Sequence, residues 1–211
     1  MIHAYDKNYL LKAQNTLGAM FDFVAYSLNM NLSDFYKKFL CSKVSSEFET
    51  GNSAIIAGKS GVEIAALVLD DEKVSAKYRP SQSRSREFWA GWALAYFQWE
   101  TNLPFHRIEK YIPLEEIIAS YNPYHEMDIA HFCEMMAELY NTRKKMTNLK
   151  LYRLNAALSQ SELAQISGIP LRTIQQYEQG NKNINAAKAE SVISLAKALT
   201  CSAEDLLEIR F

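Results

Sequence analysis

Apolar residues recur along this chain with the spacing of α-helices. A first helix over residues 6–28 is predicted from an apolar face that comprises Leu10, Leu17, Phe21, Val24 and Leu28. A second helix should follow a cap at Asn31 or Ser33. Ser60 with Glu63 three residues later forms a capping box that opens a helix through Leu69. Further helices are predicted over residues 42–50, 86–101, 105–111, 114–121 and 127–140.

Helix signals become dense after residue 147. A helix over residues 148–157 should turn Leu151 and Leu154 inward. A second capping box, Ser159 with Glu162, starts the next helix, and its inner face is predicted to comprise Leu163, Ala164 and Ile166.

Gly168 is then suited to a tight turn, and Pro170 to the first turn of a helix that runs to Gln179 and ends at Gly180. Asn185 is expected to cap a fourth helix. Its apolar face should comprise Ala189, Val192, Ile193, Ala196 and Leu199. Ser202 with Asp205 caps a last short helix.

Two stretches interrupt the helical pattern and mark the organisation of the chain. Residues 70–87 lack periodicity, so they either divide two helical clusters or belong to a functional surface. Residues 141–147 are polar and basic, and a domain boundary is placed there, although a continuous helix running into the next domain is an equal alternative. The sequence therefore predicts an all-α protein with an N-terminal helical bundle region, 1–146, and a small five-helix domain, 147–211.

Composition agrees with this prediction and adds a charge asymmetry. The 211 residues include only 7 Gly and 5 Pro, which favours an all-helical chain. The net charge of −1 divides into −5 for residues 1–140 and +4 for residues 141–211. The basic part could therefore meet a polyanion. We predict a cytoplasmic protein, because the N-terminus lacks a signal-peptide pattern and the three cysteines are scattered.

Three features suggest catalytic or ligand-binding sites, and each has a plainer explanation. Gly58-Lys59-Ser60 resembles the end of a phosphate-binding loop, but the required first glycine is Ser53 and no strand precedes it. His125 and His131 are six residues apart, which places them on different helix faces. The three tryptophans of residues 86–101 could line a groove, although aromatic residues at helical spacing are more often core. We therefore predict no enzyme activity, cofactor or metal.

The strongest functional candidate is the helix predicted between Gly168 and Gly180. At 100° per residue, its long polar residues fall on one arc, opposite Ile174 and Tyr177. These polar residues are Arg172, Gln175, Gln176 and Gln179. Arginine can bind guanine through two hydrogen bonds, and glutamine can bind adenine in the same way. The alternative is a solvated helix face, for which Glu and Lys are more usual.

A set of residues between positions 148 and 208 follows a known family pattern: Leu158, Ser159, Gln160, Glu162, Leu163, Ala164, Gly168, Ile169, Ile174, Glu178, Gly180, Ala196, Lys197, Ala198 and Leu199. With these residues, positions 148–208 resemble the Xre family, the phage-repressor type of helix-turn-helix regulator with a lambda-repressor-like fold. Position 170 departs from that pattern, because proline replaces the usual Ser or Thr. The resemblance implies a helix-turn-helix domain whose recognition helix enters the DNA major groove.

The resemblance also implies roles for individual residues. The base-reading or groove-lining positions are Leu171, Arg172, Thr173, Gln175 and Gln176. The expected phosphate contacts are Gln160, Gln179, Asn181, Lys182 and Asn183. Residues 143–145 are basic and either add phosphate contacts or solvate the linker.

The sequence thus predicts a sequence-specific DNA-binding regulator, a repressor that acts on double-stranded DNA as a homodimer. The N-terminal region would dimerise, sense a signal or bind a protein, and we predict no membrane association. Within it, residues 5–29 and 87–101 resemble helical regions of regulators encoded beside toxin genes, which suggests an antitoxin-like repressor as one alternative. A protein-interaction adaptor that no longer binds DNA is another.

Overall fold

The computed structural model describes residues 3–79 and 84–208. These residues form α-helices joined by short 3₁₀ and π segments, with no β-strand among them, so the all-α prediction is confirmed. The chain divides into two compact units, residues 1–140 and 141–211. This division lies at the start of the stretch 141–147 and inside the last turn of a helix that ends at Arg143.

The N-terminal unit is built from ten helices of the described residues. They are α1 (Leu10–Asp22), α2 (Leu32–Leu40), α3 (Lys43–Glu49), α4 (Ser53–Ile56), α5 (Gly61–Leu69), α6 (Arg86–Thr101), α7 (Phe105–Tyr111), α8 (Leu114–Ala119), α9 (Tyr121–Tyr124) and α10 (Ile129–Arg143). Asn31 caps α2, and the Ser60–Glu63 capping box opens α5, as predicted. A π-helical turn over Phe23–Ser27 continues α1 to the predicted end of the first helix.

Helices α1 and α6 form the centre of this unit, and their backbones approach closely. A Cβ atom on Gly91 of α6 would lie 2.7 Å from the backbone oxygen of Leu17 in α1, which is too close for any side chain. Glycine is therefore required at this crossing by packing. Around it, the buried core is rich in phenylalanine, and Trp99 of α6 is also buried. Trp89 and Trp92 are only half-buried, so one of the three tryptophans lies fully in the core.

Part of the predicted loop over residues 70–87 is helical in the structure. A 3₁₀ helix occupies Glu72–Lys77, capped by the side chain of Asp71, and buries Val74. Residues 80–83 of the predicted loop lie outside the described residues. Of the described helices, none combines the length and the apolar character needed to cross a membrane.

The C-terminal unit contains five α-helices within its described residues. They are α11 (Asn148–Asn155), α12 (Gln160–Ser167), α13 (Leu171–Glu178), α14 (Ala189–Ala198) and α15 (Ala203–Leu206). The capping boxes at Ser159 and Ser202 are both present. The expected cap at Asn185 is wrong, because Asn183 instead caps a short 3₁₀ helix over Ile184–Ala186 and α14 begins only at Ala189.

Four apolar residues predicted to face inward are exposed, and Ala189 is one of them. Leu154, Ile166 and Ile193 are 39%, 59% and 46% exposed. In α14 the buried stripe comprises Val192, Leu195, Ala196 and Leu199. By helical spacing, either Ile193 or Leu195 could lie beside the other buried residues of this stripe. The packing of α14 buries Leu195 and leaves Ile193 in solvent.

Candidate nucleic-acid interface

A tight turn between α12 and α13 sets the geometry of the candidate interface. Gly168 adopts a left-handed conformation with φ of 70°, and its N–H donates to the backbone oxygen of Ala164 to close α12. Pro170 lies just before α13, where its oxygen accepts from the N–H groups of Thr173 and Ile174. The proline therefore occupies the N-cap rather than the predicted first turn. Its extended backbone, with ψ of 134°, separates the two helices.

Helix α13 separates its apolar and polar residues as predicted. Ile174 is fully buried and Tyr177 is 4% exposed. On the opposite, solvent-facing side of α13, Leu171 is 40% exposed and Arg172 is also exposed. The other residues predicted to face DNA on this side are Thr173, Gln175 and Gln176, which are half-buried, and Gln179, which is exposed. The polar side of α13 thus offers hydrogen-bonding groups to a ligand outside the domain.

A buried ion pair fastens α13 to α11. Arg153 Nε and Nη2 donate to the two carboxylate oxygens of Glu178 at 2.6 and 2.9 Å. Arg153 Nη1 also donates to the backbone oxygen of Leu158 at 2.7 Å. The two charged side chains are 8% and 2% exposed, so they satisfy each other away from water. This pair fixes how α13 is presented to solvent.

The sequence carried a signal for this buried carboxylate, although its partner could not be read from it. Glu178 lies four residues after Ile174 and one after Tyr177, so it shares their inward face. A carboxylate on such a face needs a cation nearby. Arg153 is 25 residues away along the chain, and only the packing of α11 against α13 brings the two together.

Gln160 belongs to the same network. Its Nε2 donates to Glu178 Oε2 at 2.8 Å, so the first residue of α12 is tied to the last residue of α13. The capping box uses the N–H groups of Ser159 and Glu162. The N–H groups of Gln160 and Ser161 have no partner within the helix and point out of its N-terminus, where an anion is favoured.

The predicted phosphate-contacting residues after α13 form a compact exposed turn. Asn181, Lys182 and Asn183 are all exposed. Asn181 Nδ2 donates to Gln179 Oε1 at 3.0 Å, and Lys182 Nζ lies 5.3 Å from the ring centre of Tyr177. The side chain of Asn183 accepts from the N–H of Asn185, so its oxygen is occupied by capping.

Basic residues from the start of the unit meet this turn. Lys144 and Lys145 line a cavity of about 490 Å³ together with Lys182, Asn183 and Glu208. The cavity therefore joins cations from two separate segments, and Glu208 is the carboxylate among its lining residues. The sequence suggested phosphate contacts at residues 143–145, and this grouping is compatible with them.

Comparison with protein families identifies the same region. Residues 149–206 match the helix-turn-helix family model, which covers less than a third of the chain. The C-terminal unit thus carries a helix-turn-helix domain of the kind found in DNA-binding regulators. The chain matches no curated protein and no solved structure.

Proposed function

We propose that this protein is a sequence-specific DNA-binding transcriptional regulator that acts as a repressor. The observation that carries the proposal is the exposed polar side of α13, held in place by the buried Arg153–Glu178 pair. A rigid helix with arginine and glutamine side chains directed outward suits the major groove, where base edges present paired donors and acceptors.

Base recognition would use the N-terminal and central residues of α13. Arg172 can donate two hydrogen bonds to guanine, and Gln175 and Gln176 can each bond an adenine. Leu171 has a different role, because its exposed apolar side chain can contact the methyl group of thymine. Thr173 would line the groove beside them.

Phosphate contacts would flank α13 on both sides. The Nε2 of Gln160 carries two hydrogens and gives one to Glu178, which leaves the other for a phosphate oxygen. The N-terminus of α12 would reinforce that contact. On the other side, Gln179, Asn181, Lys182 and Asn183 would hold the backbone, and they would set the position of α13 without reading bases.

One helix-turn-helix domain offers few base contacts, so we propose that a homodimer binds a two-fold site. The N-terminal unit would supply dimerisation or bind a partner protein, and the protein would act in the cytoplasm. Two identical recognition helices would then read half-sites about one helical turn, or a multiple of it, apart.

The test is fluorescence anisotropy of the full chain with a duplex from its own upstream region and a shuffled duplex. We expect tighter binding to the upstream duplex and a steep loss of affinity with salt, because bound phosphates release counterions. Gln160→Ala should weaken binding to both duplexes alike. Arg107→Ala removes a positive charge from the N-terminal unit and serves as the control that leaves binding unchanged. An adaptor that does not use DNA would show no preference between the two duplexes.

A further inference from the structure

The N-terminal unit contains an aromatic cavity that includes none of the residues proposed to contact DNA. Its volume is about 300 Å³, and it lies between the start of α6 and the segment from α9 to the start of α10. Five aromatic residues line it: Phe88, Trp89, Trp92, Tyr121 and Tyr124. Small-molecule sites begin at about this volume, so the cavity can hold a molecule of one or two rings.

The aromatic walls are held in place by the core. The ring of Trp89 meets those of Phe132 and Tyr121 edge to face, with centroids 5.2 and 5.6 Å apart. Phe132 is fully buried, and its ring centroid also lies 6.2 Å from that of Tyr124. Because these rings support one another, the cavity is formed before any ligand arrives, which reduces the entropic cost of binding.

The polar groups of the cavity favour an anion. Arg84 is exposed, and its guanidinium carbon lies 4.8 Å from the ring centre of Phe88 at the edge of the cavity. His125 stacks on Tyr121, with ring centroids 3.9 Å apart, and its Nδ1 donates to the backbone oxygen of that residue at 2.9 Å. None of the described lining residues is Asp or Glu.

Two carboxylates lie next to residues that line the cavity. Asp22 accepts a hydrogen bond from the hydroxyl of Ser85 at 2.5 Å. Glu126 Oε1 lies 3.6 Å from His125 Nε2. The Glu126 side chain is 78% exposed, so water screens its charge, and it forms an ion pair with His125 only when the imidazole is protonated. Arg84 is the permanently charged residue among the described residues that line the cavity.

We propose that this cavity binds a small planar aromatic carboxylate. The aromatic walls would enclose the ring system, and Arg84 would bind the carboxylate through charge-assisted hydrogen bonds. Aromatic cavities also attract organic cations through their ring faces. Here the guanidinium would repel a cation, and no lining carboxylate would offset that repulsion.

The proposal is tested by isothermal titration calorimetry of the full chain, without DNA, with three ligands of the same shape. They are 2-naphthylacetate, its neutral amide and the cationic 2-(2-naphthyl)ethylamine. We expect the acid to bind most tightly and the amine most weakly. Because DNA is absent, the outcome does not depend on the proposed regulatory function.

Two arginine variants separate recognition of the carboxylate from general effects. Arg84→Gln should weaken binding of the acid by about tenfold and leave the amide unchanged, because one charged contact is lost. Arg86→Gln is the matched control, since Arg86 lies two residues further on, pairs with Glu87 and is not among the lining residues. It should bind the acid as the unaltered chain does.

A third variant tests the aromatic walls. Trp92→Leu keeps an apolar side chain but removes a ring, so it should weaken acid and amide alike, with circular dichroism confirming an unchanged fold. The proposal is overturned if the acid fails to bind at millimolar concentrations, if the amine binds as tightly, or if Arg84→Gln leaves the affinity for the acid unchanged.

Discussion

Replacing Glu178 by glutamine should destabilise the helix-turn-helix domain far more than an ordinary charge substitution. The change keeps the size and shape of the side chain but removes its negative charge. Arg153 would then remain buried at 8% exposure of its side chain, facing a neutral amide. Hydrogen bonds from Arg153 and from Gln160 would lose their charged acceptor at the same time.

The size of the effect follows from the burial of both partners. Leaving one member of a buried ion pair without the other costs about 3–5 kcal/mol. The side chains of Arg153 and Glu178 are 8% and 2% exposed, so solvent screening reduces this energetic cost only slightly. A unit of about 70 residues has a free energy of unfolding of roughly 4–10 kcal/mol. The substitution should therefore lower its melting temperature by more than about 12 °C.

The two units can be followed separately in the full chain. All three tryptophans, Trp89, Trp92 and Trp99, belong to residues 1–140, so their fluorescence reports the N-terminal unit. Far-ultraviolet circular dichroism reports the helices of both units. For Glu178→Gln we expect an early loss of helical signal that precedes the fluorescence transition.

Two control variants isolate the cause. Lys43→Gln breaks the exposed Lys43–Glu47 pair, where the lysine side chain is 85% exposed, and should cost less than about 0.5 kcal/mol. The double variant Arg153→Met with Glu178→Leu replaces the buried pair by apolar side chains and should recover most of the loss. The reasoning is refuted if Glu178→Gln melts like the unaltered chain, or if the double variant is as unstable as the single one.

Three further predictions concern base reading, pH and glycine. Arg172→Ala should reduce the difference in binding free energy between the preferred DNA site and single-base variants of it by about 1–3 kcal/mol. Fluorescence anisotropy with these duplexes measures the difference. An equal loss of affinity for all duplexes would contradict the prediction. Burial, reinforced by Glu115, raises the pKa of Glu109 from 4.5 to about 7. The folded N-terminal unit therefore binds more protons than the unfolded chain between these values, and its stability should fall as pH rises through this window. Glu109→Gln should flatten that decline in tryptophan-monitored unfolding, and an unaltered pH profile would refute the assignment. Gly91→Ala should destabilise the N-terminal unit strongly through its clash with α1. Gly168→Ala, whose Cβ would meet nothing within 4 Å, should cost only about 1 kcal/mol from its positive φ. Equal melting temperatures for these two glycine variants would contradict the distinction.

Helix boundaries could be predicted from the sequence because their signals are local. The capping boxes at Ser60, Ser159 and Ser202 each depend on a residue three positions later, and all three are present in the structure. The same holds for Gly168, whose position after α12 indicated a left-handed turn. Such interactions lie within one helical turn, so no knowledge of distant residues is needed.

The direction of individual side chains was less predictable. Leu154, Ile166 and Ile193 have the helical phase of inward residues, yet they are exposed. Helical phase limits an apolar stripe to an arc, and several residues compete for its edges. The neighbouring helices decide which of them is covered. The base-reading and phosphate-contacting residues rest on phase and family resemblance, and their roles stay predictions.

The sequence by itself determined the all-α fold, most helix ends and the helix-turn-helix segment, because each rests on residues within a few positions of one another. Tertiary structure alone decided the contacts between distant residues. Arg153 meets Glu178 across 25 positions, and Trp89 meets Tyr121 across more than 30. A buried charge or a packed aromatic ring needs a partner, and which residue becomes that partner depends on how the helices cross. Both the support for α13 and the aromatic cavity arise from such crossings.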